Sequence, residues 1–312
     1  MDEFTYFPPK PEIKEKNTAS ILKTIGSLAL FVGLFALLGI KLNYIFLIVL
    51  VLFIHEMGHL IAMKSYGYED VGMFFIPFLG AVVTGRKEEM SQLQRIIIVL
   101  AGPMPGILIG TIFLFGFSAG LLHPIFLLFG VVFVALNVLN LLPIDPLDGG
   151  KLFELLFFSF SDWAKVMFNV VSSLAIVLVG FLYQQYIIML FGGLMLFRIQ
   201  SHLKLMRLRK RLLHLEIPLN VTYASLTDKD YWRLRKEYIQ IAKLDSIIPP
   251  ESKDYDEKEE VLAPAIRNLL RTPVSHDVNL TGKISFMLIW AFSIAVSFYA
   301  IWINLNALKG LL

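Results

Sequence analysis

The chain has 312 residues, 56% of them hydrophobic and only 17% charged, with a mean hydropathy of +0.68. That balance belongs to a membrane protein rather than a soluble domain. The absence of cysteine excludes disulfides and thiolate metal sites, and a net charge of +3 is too small to argue for nucleic acid.

Residues 1–18 are polar, mixed in charge and broken by prolines, and they lack the basic-then-apolar pattern of a cleaved leader. They are expected to form a disordered cytoplasmic tail. A helix crossing a ~30 Å hydrocarbon layer needs roughly 20 apolar residues. Stretches of that kind lie at about 20–41, 43–65, 93–118, 123–143, 164–183, 185–200 and 284–306. The fifth and sixth are shorter and share the link Tyr183-Gln-Gln-Tyr186, which predicts a hairpin. The expectation is an all-α polytopic membrane protein with about seven transmembrane helices.

Positive residues set the orientation. They precede the first span (Lys10, Lys14, Lys16, Lys23) and lie between the second and third (Lys64, Arg86, Lys87, Arg95). They recur between the fourth and fifth (Lys151, Lys165) and run densely after the sixth, from Arg198 to Arg211. The alternate loops hold only Lys41. Seven spans with a cytoplasmic N-terminus satisfy this pattern.

Two segments are not spans. Val71 to Gly85 is too short and too broken by Pro77 and Gly80 to cross, and its Val, Ile and Phe residues favour a short β segment. Residues 201–283 form a polar cytoplasmic helical segment, with helices expected around 226–244 and 257–271. Its start, Ser201 to Ile217, suits either a helix on an anionic membrane surface or a continuation of the sixth span into solvent. Residues 284–306 form a C-terminal transmembrane helix.

The chemistry lies in the second span, in His55-Glu56-Met57-Gly58-His59. Residues four apart share a helix face about 6 Å apart along the axis, so two imidazoles can take neighbouring corners of a tetrahedral zinc site. Glu56 can reach the corner where water sits. Three ionisable groups in one apolar helix are costly and imply a partner or a function. The plain alternative is a polar cluster joining helices or lining an ion path.

A catalytic site needs a third protein ligand and an open position. The fourth span ends in Asn140-Leu-Leu-Pro143-Ile-Asp145-Pro146-Leu-Asp148-Gly149-Gly150, where two prolines break the helix and two glycines permit close backbone approach. Irregular backbone at membrane depth is tolerated where it is buried or lines a cavity. Asp148 sits on this unwound segment at the same depth as the histidines, with Asp145 as a rival ligand. Glu69, Glu88 and Glu89 rank third, in a polar loop.

The pair HEMGH and NLLPIDPLDGG resembles the site-2 protease family of intramembrane zinc metalloproteases, over about residues 50–150. The resemblance implies one zinc ion on His55, His59 and Asp148, Glu56 as catalytic acid and base, and Asn140 holding the substrate backbone or the developing oxyanion. It implies a three-helix catalytic core in the second to fourth spans, about residues 43–150, with a membrane-level sheet. Some members carry Gly-Pro-x-x-Asn on the third core helix. Here Gly102-Pro103-Met104-Pro105-Gly106 puts glycine at the Asn position, and Gly102, Gly106 and Gly110 favour close helix packing.

The expected activity is hydrolysis of peptide bonds in or near transmembrane segments of membrane proteins, in a bacterial inner membrane. Its partners are such substrates and the lipid bilayer, with no nucleic acid. The alternatives are a polytopic metal transporter, for which Glu56 has no rationale, and an inactive membrane scaffold, although no catalytic residue is missing.

Overall fold

The computed structural model describes residues 7–13, 21–77, 80–159, 161–212, 216–246, 248–250, 259–270 and 274–309. Every predicted apolar span is helical, the third of them as two helices. The first two are α1 (Ile21–Leu37) and α2 (Leu42–Ser65), followed by a hairpin of β1 (Glu69–Ile76) and β2 (Gly80–Arg86). Next come α3 (Gln92–Ala101), α4 (Pro103–Ser118), α5 (Ile125–Asn140) and a short α6 (Asp148–Phe153) that widens into a π turn over Glu154–Phe158. The chain continues through α7 (Asp162–Leu182), α8 (Tyr186–Leu212), α9 (Asp228–Ile241), α10 (Glu259–Leu269), α11 (Leu280–Trp302) and α12 (Leu305–Lys309).

Among the described residues, five helical stretches are long and apolar enough to cross a membrane: Leu42–Ser65, Gln92–Ser118, Asp162–Leu182, Tyr186–Leu212 and Leu280–Trp302. This is a multi-pass membrane protein. The other two expected spans are shorter apolar helices, α1 with 17 residues and α5 with 16. At 1.5 Å per residue they reach only about 24–26 Å, so among the described residues five helices have spanning length, and the expected count of seven is not established by length.

The breaks follow from proline. Pro103 has no N–H to continue the ladder of α3, and it instead opens α4 at a first-turn position where that N–H would go unused. Pro143 and Pro146 likewise stop α5 at Asn140 and leave residues 141–147 irregular before α6 begins.

The chain divides into two compact units. The first holds residues 17–87, 91–175 and 276–312. In it α4 and α5 pack at the closest range, Gly110 against the Gly130 carbonyl, above a cluster of Leu114, Leu127, Val134 and Ala300. The last long helix belongs to this unit. On α11 the Trp290 indole N–H donates to the Leu141 carbonyl at 2.8 Å and meets the Phe153 ring edge-on at 5.2 Å, and just beyond it Asn304 donates to the Leu114 carbonyl at 3.1 Å.

The hairpin confirms the expected β segment. β1 and β2 are antiparallel, with Phe74 opposite Val82 and Ile76 opposite Gly80, and one face buries Met73 and Phe75 against Phe31 of α1. The outer edge of β1 meets α1, where the Thr24 hydroxyl donates to the Met73 carbonyl at 2.6 Å and the Phe75 N–H donates to Ser27 Oγ at 3.0 Å.

The second unit holds residues 1–16, 88–90 and 176–275. Helix α8 runs unbroken from Tyr186 to Leu212, so the sixth span does continue into the polar segment. Helices α9 and α10 fall where the sequence expects them and share a core of Leu226, Tyr231, Trp232, Leu234, Ile266 and Leu269. Arg235 and Glu259 are both buried and joined by an Nε–H···Oε1 bond of 2.5 Å, so each neutralises the other's charge. Tyr231 donates to the same carboxylate at 2.8 Å, and burial together with that negative neighbour pushes its phenol pKa up. Within the expected disordered tail, residues 7–13 are instead docked on this unit; residues 1–6 and 14–18 lie outside the described residues.

Candidate metal centre

His55 and His59 lie on successive turns of α2, and both are buried, as is Glu56. Asp148, the first residue of α6, is buried beside them. Its Oδ2 stands 3.0 Å from His55 Nε2 and 3.0 Å from His59 Nε2, and the two nitrogens are 3.1 Å apart. The carboxylate thus comes from the first turn of α6, just past the proline-broken loop rather than on the unwound segment where the sequence placed it, and it reaches the two imidazoles, 89 and 93 residues away in sequence.

The remaining ring nitrogens decide the chemistry of this triangle. Asn137 Nδ2 donates to the Phe133 carbonyl at 2.8 Å, which turns its Oδ1 toward His55 Nδ1, also at 2.8 Å. That oxygen can only accept, so His55 Nδ1 carries the proton. His59 Nδ1 faces the Ile98 carbonyl at 2.7 Å and is a donor for the same reason. Each neutral imidazole then presents a bare Nε2 lone pair. Two nitrogen lone pairs and a carboxylate oxygen converge in a buried space, an arrangement that repels itself and that a cation satisfies.

The spacing suits zinc. Four ligand atoms placed tetrahedrally about 2.0–2.1 Å from the ion lie about 3.3 Å from one another, a few tenths of an ångström wider than the triangle here. Among the described residues, His55, His59 and Asp148 form the group able to hold a metal. The donor set of two imidazoles and one carboxylate leaves a fourth corner free, as catalytic zinc sites do.

Neighbours fix the ligands. Lys151 donates to Asp148 Oδ1 at 3.0 Å, which leaves Oδ2 for the histidines. Glu56, one residue past His55, interacts electrostatically with both imidazoles, Asp148 and Lys151. Gly102, at the junction of α3 and α4, and Gly106 of α4 act beyond plain packing. A methyl group on Gly102 would fall on the His59 ring, and one on Gly106 would fall on the Asn137 amide.

The other nominated residues sit differently. Asn140 is half-buried at the end of α5, and its Nδ2 bonds back to the Leu136 carbonyl at 3.2 Å. The backbone N–H of Asp145 donates to Ser172 Oγ at 3.1 Å, which ties the loop to α7. Asp145, Glu69, Glu88 and Glu89 are not in the metal-compatible group. Asn137 is the residue that sequence reasoning missed. It is fully buried in an otherwise apolar helix, where an amide requires a partner, and that cost was the available signal.

Comparison with known proteins agrees with this geometry. Residues 43–122, which span α2 through α4, match the profile of peptidase family M50. Over this stretch the chain is similar to that family. Among characterised relatives, stage IV sporulation protein FB of Bacillus subtilis is 29% identical over 131 residues, 41% of this chain and 46% of the relative. A zinc metalloprotease of Methanocaldococcus jannaschii is 26% identical over 135 residues, 41% of this chain and 39% of the relative. The similarity therefore spans less than half the length of either relative. The M50 match contains His55, Glu56 and His59, and Asp148 lies 26 residues beyond its end.

Proposed function

We propose that this protein is an M50-type intramembrane zinc metalloprotease of the site-2 kind, which hydrolyses peptide bonds in or next to transmembrane segments of other membrane proteins. One observation carries the proposal: three metal-directed lone pairs converge within 3.1 Å in an apolar helix bundle, with a buried carboxylate, Glu56, one residue from a ligand.

His55, His59 and Asp148 would hold one zinc ion per chain. Bound zinc supplies Lewis acidity, which lowers the pKa of a water to about 7 and polarises a carbonyl. Glu56 takes a proton from water as its oxygen bonds to the scissile carbonyl carbon. The C–N bond then breaks, and Glu56 hands that proton to the leaving amine. Asn140, at the mouth of the 141–147 loop, is assigned to the substrate backbone. A peptide bond in a helix is shielded by its own hydrogen bonds, so the substrate must arrive unwound, and the hairpin offers an edge for strand pairing. The positive residues favour a cytoplasmic N-terminus, seven crossings and a cleavage site near the cytoplasmic face of a bacterial inner membrane.

The test pairs metal analysis with cleavage of single-span proteins in reconstituted membranes. Glu56→Gln keeps zinc and loses proteolysis, whereas Asp148→Ala loses both. Cleavage retained by Glu56→Gln, or full zinc occupancy in Asp148→Ala, overturns the assignment.

A further inference from the structure

The segment Phe7-Pro8-Pro9-Lys10-Pro11-Glu12-Ile13 has three prolines in seven residues, a composition that favours the extended polyproline helix of three residues per turn. Its burial follows that period. Pro9 and Glu12 are exposed, while Phe7, Pro8, Lys10, Pro11 and Ile13 are partly covered. One side of the segment therefore faces the second unit, where Phe7 and Ile13 pack on the core shared by α9 and α10.

The polar contacts repeat with the same period. Trp232 Nε1–H donates to the Pro8 carbonyl at 2.7 Å, and three residues on the Tyr223 hydroxyl donates to the Pro11 carbonyl at 2.8 Å. Between them the Lys10 ammonium donates to the carbonyls of Tyr223, Ala224 and Leu226 at 2.7, 2.7 and 2.5 Å. The same ammonium stands 5.4 Å from the centre of the Tyr223 ring, and the Lys10 backbone N–H donates to Asp228 Oδ1 at 2.8 Å. An ammonium has three donors, and here all three are used.

We propose that this unit carries a binding site for proline–lysine peptides, which the chain's own residues 7–13 fill as a tethered ligand. The site reads three features of the ligand. Indole and phenol donors take carbonyls three residues apart, as aromatic grooves do with polyproline helices. A turn of converging carbonyls, residues 223–226, takes a compact cation. The apolar core takes a large side chain at each end. The carbonyl cage selects lysine over arginine, because a planar guanidinium cannot aim three N–H bonds at acceptors disposed around one point.

The test uses the full-length protein in detergent and a fluorescein-labelled heptapeptide of sequence FPPKPEI, followed by anisotropy. Lys10→Glu sets a carboxylate against the carbonyl cage and expels the tether. The labelled peptide is then expected to bind this variant at least about tenfold more tightly than the wild-type chain, where the tether competes. The same peptide with norleucine in place of lysine loses at least about tenfold, and an arginine peptide also weakens. Tyr223→Phe introduced into the Lys10→Glu chain removes only the hydroxyl bond to Pro11, and is expected to weaken binding several-fold. Hydrogen exchange across residues 223–232 should slow when the peptide is added to Lys10→Glu. Equal binding to wild type and Lys10→Glu, no binding to Lys10→Glu, or equal binding of the norleucine peptide overturns the proposal.

Discussion

Asn137 accepts the Nδ1 proton of His55 at 2.8 Å, from a position with no solvent exposure one helical turn before the end of α5. This bond sets the tautomer of His55 and the plane of its ring, and so aims Nε2 at Asp148. Partners of this kind typically change metal affinity about 10–100-fold when removed. Asn137→Ala should therefore lose zinc to a competing chelator at a concentration lower by that factor, with the helical content unchanged. Zinc retention equal to wild type would show that the ring is held by packing alone.

Gly106 makes a second claim about the same bond. The nearest atoms that a β-carbon there would meet are those of the Asn137 amide. Gly106→Ala is expected to reproduce the zinc loss of Asn137→Ala, and the double variant should be no worse than Asn137→Ala, since the methyl fits once the amide is gone. Neighbouring residues that act through one contact are non-additive in this way. Additive losses would mean that Gly106 serves the α4–α5 packing instead.

Trp290 ties α11 to the loop that leads into Asp148. Trp290→Phe keeps a ring against Phe153 but leaves the Leu141 carbonyl without its 2.8 Å donor. A buried acceptor left unpaired costs about 1–3 kcal/mol. The expected result is a lower unfolding temperature and faster hydrogen exchange across residues 141–152, together with reduced peptidase activity. Unaltered exchange in that loop would contradict a role for α11 in holding it.

Asp277, outside the apolar helices, links the start of α11 to that of α3, because it accepts the Leu93 N–H at 3.0 Å. Slight burial raises its pKa, but hydrogen bonds from Leu93 and Ser91 outweigh this and set it below the usual carboxylate value. With the folded value depressed, its contribution is present above the ordinary carboxylate range. It fades as pH falls through that range toward the lower folded value. Asp277→Asn should flatten the acid limb of thermal stability in that window, and an identical limb in the variant would remove this residue from the account.

The apolar helices and the histidine pair were legible in the sequence because each is local: hydropathy over about 20 residues marks a helix, and a four-residue interval marks one face. The prolines marked the irregular segment after α5, but the choice of Asp148 over Asp145 rested chiefly on the resemblance of NLLPIDPLDGG to the site-2 protease family, and Asp148 with Gly149 and Gly150 proves to open α6 rather than to lie on the unwound stretch. Asn137 was not, because of the two amides in IFLLFGVVFVALNVLN the sequence singles out Asn140, and a buried amide declares a need for a partner without naming it. The docking of residues 7–13 was hidden for a different reason. Proline-rich polar composition also describes a free tail, and the difference lies in hydrogen-bond partners more than 200 residues away. Helix α11 likewise showed its hydropathy but not its attachment to the Leu141 carbonyl.

The hydroxyls of Thr24 and Ser27 have one more implication. They stitch the outer flank of β1 to α1, and no further strand lies beyond β2 among the described residues. The hairpin is therefore lopsided as a template: an incoming polypeptide that lengthens this ribbon can add on the β2 side alone. That would impose a handedness on approach, and it would let the enzyme refuse half of the possible encounters before any bond is at risk.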